Sequence, residues 1–253
     1  MNKILHTVRV PMEVIKNNGS WQKRIDYARS LNNKFYNQLG TKLENKSYIS
    51  IDEYQNTLKT ILPSNIDFKV KPMSRNYSSL SGYVSVIQDR GKKAKSYEIG
   101  IASFRKFSFG KNKNSLYIGK SDFDVMLHEN SHLFNLATNP KYIARELLIK
   151  NRDFEFYDEY LYKKIRFPKN LFDWQKKLMQ QLKNHLELMN DFYKINFLQY
   201  CRYSLLDEKI AYEEGSKYFI HATNSKNYFF DEKIKMIENL IKETINNVRK
   251  NQK

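Results

Sequence analysis

The chain has 253 residues, 41% of them hydrophobic, and carries 44 Lys+Arg against 27 Asp+Glu for a formal charge of +17. That is enough for one large or two small domains and enough apolar surface for a core, which excludes a disordered chain. Eight glycines and five prolines are too few for a loop-rich all-β protein, and a single cysteine, Cys201, excludes both a disulfide framework and a cysteine zinc site.

Residues 1–18 lack the apolar run and cleavage site of a secretory signal, and no stretch of about 18 apolar residues occurs anywhere. The expectation is therefore a cytoplasmic or virion-associated protein without a transmembrane segment. The basic residues are dispersed and interrupted by acids. Two readings stay open: a composition rich in Lys, Asn, Ile and Tyr, or a surface that attracts nucleic acid or an acidic partner.

Taken in order, Ile4, Val8, Val10, Met12 and Val14 alternate with polar residues as in a strand, with Pro11 suggesting an edge. Trp21, Ile25, Ala28, Leu31, Phe35 and Leu39 follow helical spacing, and Gly40 reads as the stop. Ser50 and Glu53 form a capping box for a short helix ending before Pro63. Between 65 and 119 the period changes to two. Residues 66–70, 83–87, 97–101, 107–109 and 115–118 read as strands, with hairpin turns at 89–91 and 110–114. Beyond residue 120 the pattern is helical. One helix is expected over about 173–199, with Leu178, Leu182, Leu186, Met189, Phe192 and Ile195. Another is expected over 203–220, and a last one is capped by Asp231. The fold class is α+β: a small, mostly antiparallel sheet leading into a helix at 121–138, then a predominantly helical C-terminal half.

That helix, SDFDVMLHENSHLFNLAT, holds the chemistry. Ser121 and Asp124 resemble a capping box. Phe123, Met126, Leu127, Phe134 and Ala137 share one face, and His128, His132 and Asn135 share the opposite one. His128-Glu129-Asn130-Ser131-His132 is an H-E-x-x-H pattern. Residues four apart project together, so both imidazoles can meet one metal ion, while Glu129 is turned toward a water on that ion. Zinc suits imidazole nitrogen and carboxylate oxygen and keeps a position open for water. Two solvated histidines on an amphipathic helix are the alternative that the pattern by itself allows. Asn130 falls within the apolar face with no partner evident from sequence.

A catalytic zinc takes three protein ligands. A third histidine at H-x-x-G-x-x-H spacing would need Gly at 135 and His at 138, where the chain has Asn135 and Thr138. The best candidate is Glu208 in Leu206-Asp207-Glu208-Lys209-Ile210-Ala211-Tyr212, with Ala211 three residues on allowing close helix approach. Its alternative is one acid among several on a solvated face. Tyr212, one turn after Glu208, is the candidate donor to an oxyanion, with Tyr218 and His221 as alternatives. His6, on a predicted strand, and His185, on a long helix, are not read as ligands.

The strands, the H-E-N-S-H helix and the downstream D-E-x-x-A resemble the zincin metallopeptidases, specifically their gluzincin branch, over residues 80–220. The resemblance implies a single zincin-like unit over 1–253, with N-terminal strand and helices at 1–64 and a metallopeptidase core with a helical C-terminal part at 65–253. It implies Zn2+ held by His128, His132 and Glu208, Glu129 as catalytic base, and a polypeptide substrate aligned on a strand around Tyr97 to Ala102. A zinc metallopeptidase is the resulting expectation. Its rival is a basic nucleic-acid-associated or virion structural protein on a zincin scaffold, using the basic loops at 90–95 and 105–113.

Overall fold

The computed structural model describes residues 19–74, 82–88, 95–105, 116–138, 191–217 and 229–250, with single positions between 158 and 184. The predicted N-terminal strand, the basic loops apart from Lys95 and Arg105, the strand at 107–109, His6, His185, Tyr218, His221 and the leucine stripe at 178–189 lie outside them. The chain divides into two compact units, one of Lys23–Asn139 with Ile210–Thr223, the other of Met1–Gln22, Pro140–Lys209 and Asn224–Lys253. Among the described residues it is an α+β fold with a small mixed sheet and more helix than strand.

In the first unit, α1 (Gly19–Phe35) buries Ile25, Ala28, Leu31 and Phe35, the predicted stripe. It does not stop at Gly40. The chain widens into a π-helical turn, Tyr36–Gly40, and continues as α2 (Thr41–Glu44), burying Leu39 and Leu43. Gly40 is right-handed, with φ −61°, and a Cβ there would lie 2.8 Å from the Tyr36 ring. The glycine makes room for an aromatic ring and supplies no left-handed stop.

After β1 (Tyr48–Ser50), helix α3 (Ile51–Ile61) begins as expected: Ser50 Oγ accepts the Glu53 N–H at 3.1 Å. It ends where Leu62 becomes extended ahead of Pro63. Tyr54, Thr57, Leu58 and Ile61 are its buried face.

The sheet is built from β1, β2 (Asp67–Ser74), β3 (Gly82–Gln88), β4 (Lys95–Arg105) and β5 (Leu116–Gly119), in the order β1-β5-β4-β2 with β3 also on β4. Three pairings are antiparallel, but β2 runs parallel to β4 from Asp67↔Ser96 to Ser74↔Ser103. Alternation cannot reveal this, because it reports which face is buried and not which way a neighbour runs. Ile99 and Ile101, both fully buried, mark the core side of β4.

The stretch Tyr97 to Ala102 is a correction to the expected peptide-aligning strand. It pairs with β2 on one side, and through Ile101 with β3 on the other. An interior strand has no free hydrogen-bonding edge to offer.

Helix α4 (Phe123–Thr138) is entered through a 3-10 turn, Lys120–Asp122. Asp124 Oδ1 accepts from Val125 N at 2.8 Å, so its carboxylate serves the adjacent N–H. Phe123, Met126, Leu127 and Phe134 of the expected apolar face are buried, Ala137 is half-buried, and Leu133, Leu136, Glu129, Asn130, Ser131 and Asn135 are buried as well. Tyr54 from α3 supplies the missing partner of Asn130, its hydroxyl donating to Oδ1 at 2.7 Å.

Helix α5 (Asp191–Ser216) is one uninterrupted helix, although a break was expected near 199–203. Gln199 to Tyr203 contains no glycine or proline to stop it. Helix α6 (Phe230–Lys250) follows, its buried face including Ile234, Ile237 and Ile241. In the second unit Arg202 pairs with Glu238 at 2.7 Å, Lys209 with Asp231 at 2.7 Å, and the buried Lys233 with Asp158 at 2.7 Å. Among the described residues no helix is long and apolar enough to cross a membrane. Cys201 is buried and forms no disulfide.

Candidate metal centre

Helix α4 turns His128 and His132 toward each other. Their Nε2 atoms are 3.2 Å apart, and the rings meet edge to face with centroids 4.9 Å apart. Each of His128, His132 and Glu208 is half-buried, and their ligand atoms all lie within 4.8 Å of one another. The group is therefore close enough to hold one metal ion. The donor set fits: with metal–nitrogen bonds of about 2.0–2.1 Å, tetrahedral coordination separates two nitrogens by roughly 3.4 Å. Two imidazole nitrogens this close need a proton or a cation between them, since facing lone pairs repel.

Burial holds the His128 imidazole down at about 3, with the neighbouring His132 lowering it further and the Ala211 backbone raising it. The ring is therefore neutral at pH 7, the form that coordinates metal. It also donates to the backbone carbonyl of Ala211, the kind of contact that fixes which nitrogen carries the proton.

Residues near the C-terminus of α5 lie directly against α4. Ala211 is fully buried. One turn further on, a Cβ at Gly215 would sit 3.0 Å from the Asp124 carbonyl and 3.6 Å from His128 Cβ. Small residues at 211 and 215 thus let the backbones approach. Glu208 lies three residues before Ala211 on the same uninterrupted helix. The Tyr212 ring stacks edge-on against His128, with centroids 4.7 Å apart.

Glu129 is buried and is not one of the three converging ligands. Its side chain lies against Gly82, the first residue of β3. Its charge helps raise the Tyr54 hydroxyl well above the usual tyrosine value, after burial as the main cause.

The structure thus brings together His128, His132, Glu208 and Tyr212, with Glu129 beside the first residue of β3. Sequence reasoning missed Gly82, Gly215, Tyr54 and Asn32. Only Gly215 left a readable trace, as the second small residue of an Ala-x-x-x-Gly spacing. In comparisons with known proteins, no family model, curated protein or solved structure matches this chain.

Proposed function

We propose that the protein is a zinc-dependent metallopeptidase of gluzincin-like type. The observation that carries this reading is the convergence of Glu208 on the H-E-x-x-H imidazoles. Two imidazole nitrogens and one carboxylate match the open three-ligand set of catalytic zinc. His128, His132 and Glu208 would hold the ion. When bound, zinc lowers the pKa of a water and polarises a carbonyl.

The remaining roles fall to the chain's own side chains. Glu129 accepts the proton of the attacking water and returns it to the leaving amine. Tyr212, held against His128, donates to the oxygen that gains charge in the transition state. Because β4 is interior, β3 is the strand for an extended peptide. Among the described residues it pairs on one edge alone, and its first residue touches Glu129.

The test is metal content together with hydrolysis of an unstructured polypeptide, for wild type, Glu208→Ala and Glu129→Gln. Stoichiometric zinc and cleavage in wild type, loss of both in Glu208→Ala, and loss of cleavage alone in Glu129→Gln are expected. Wild type purified without chelator that takes up no zinc overturns the proposal.

A further inference from the structure

Helix α1 makes polar contacts with both helices that carry the metal ligands, through two residues three positions apart. Asn32, 2% exposed, gives its amide to α4 twice: to the Leu127 carbonyl at 3.1 Å and to Ser131 Oγ at 2.6 Å. Leu127 and Ser131 immediately precede His128 and His132. Ser131 Oγ itself bonds the Leu127 carbonyl at 2.9 Å, so the grip closes on one turn of α4. Arg29, one turn back on α1, reaches α5. Its Nη2 donates to Glu213 Oε2, and its Nε lies 3.3 Å from Glu214 Oε1, an ion-pair contact without hydrogen-bond alignment. The Glu214 side chain is 1% exposed and has a second cation, Lys217 Nζ, at 2.6 Å.

Positions three apart are neighbours on one helix face, so a single turn of α1 touches both ligand-bearing helices. A carboxylate contributed by a different helix from the histidines coordinates only at the right distance and rotation. Glu213 and Glu214 follow Glu208 by five and six residues on the same uninterrupted helix, so holding them constrains Glu208 through the helix backbone.

We infer that Arg29 and Asn32 form a bracket that sets the spacing of α4 and α5, and so are positioning residues for the metal centre. This rests on the metal reading above. Neither residue needs to touch the ion. The ion pairs would matter little as surface pairs. Here one carboxylate is buried and the geometry they hold is that of a ligand.

The experiment is cobalt(II) titration of the full chain, read by visible absorption, with circular dichroism and the metal-free unfolding temperature of each variant. The variants are Arg29→Gln, Arg29→Lys and Asn32→Ala. Wild type is expected to bind one equivalent. Arg29→Gln and Asn32→Ala should bind at least about tenfold more weakly, with an altered cobalt spectrum, as for other outer-shell partners of metal ligands. Arg29→Lys retains one cation for two carboxylates and should fall between. If Asn32→Ala does not fold, the Arg29 variants decide, since Glu214 keeps Lys217 and the Arg29 side chain is 34% exposed. Folded Arg29 variants with wild-type affinity and spectrum, and merely a lower unfolding temperature, overturn the bracket and leave the metal centre standing. Wild type that binds no cobalt overturns the metal centre and the bracket with it.

Discussion

Glu129 and Gly82 are packed so closely that no side chain fits at 82: a Cβ there would lie 2.6 Å from Glu129 Cγ and 2.9 Å from its Oε1. The candidate base is thus seated by the start of an edge strand, and not by its helix alone. Gly82→Ala should displace the carboxylate while leaving His128, His132 and Glu208 in place. Misplacement by about 1 Å can cost about 100-fold in rate. The expected outcome is a fall in kcat of that order with unchanged zinc stoichiometry. Equal losses of metal and activity would instead mean that the strand supports the ligands.

Glu129→Gln removes the proposed base and keeps the shape. Proton transfer by a positioned side chain contributes about 10²–10⁴-fold, so hydrolysis should fall by that range with zinc retained. Tyr212→Phe keeps the ring against His128 and removes only the hydroxyl. A fall of about 100-fold in kcat, with metal affinity unchanged, is expected if the hydroxyl stabilises the oxyanion. A purely packing role for the ring would leave kcat where it is. Steady-state kinetics on one peptide separates the two.

How much of this was readable depends on how local each feature is. The Ser50–Glu53 cap and the stripe of α1 depend on residues within a turn or two, and both were legible. The H-E-x-x-H pair is equally local, and Ala211 beside Glu208 hinted at a close helix. What failed was partner choice. Gly40 looks like a stop until the Tyr36 ring is seen above it. Tyr97 to Ala102, the peptide-aligning strand that the zincin resemblance implies, is flanked by β2 and β3. Asn130 seemed misplaced because its partner, Tyr54, is 76 residues away. Such facts come from tertiary packing, which a periodicity cannot encode.

That Tyr54–Asn130 bond makes its own prediction. Tyr54 is fully buried, and its hydroxyl donates to Asn130 between Glu129 and the second histidine. Tyr54→Phe leaves a buried acceptor without this donor, which costs about 1–3 kcal/mol. Urea unfolding of the metal-free protein should show a loss in that range with an unchanged m-value. A shift below about 0.5 kcal/mol would mean that another donor replaces the hydroxyl.

Acid should destabilise the metal-free protein through His128. Its folded-state pKa is depressed to about 3 from the ordinary 6.5. Above pH 6.5 the ring is neutral in both folded and unfolded chains, and stability does not depend on it. As pH falls below 6.5 the unfolded chain takes up a proton that the folded one refuses, so stability declines until the folded ring also titrates near 3. One such proton gives a slope of up to about 1.4 kcal/mol per pH unit within that window. His128→Gln keeps a donor for the Ala211 carbonyl and removes the titration. Urea midpoints of the metal-free wild type and variant, compared from pH 7 to pH 4, should therefore diverge, the wild type losing stability faster. Parallel curves would show that the acid sensitivity belongs to other groups.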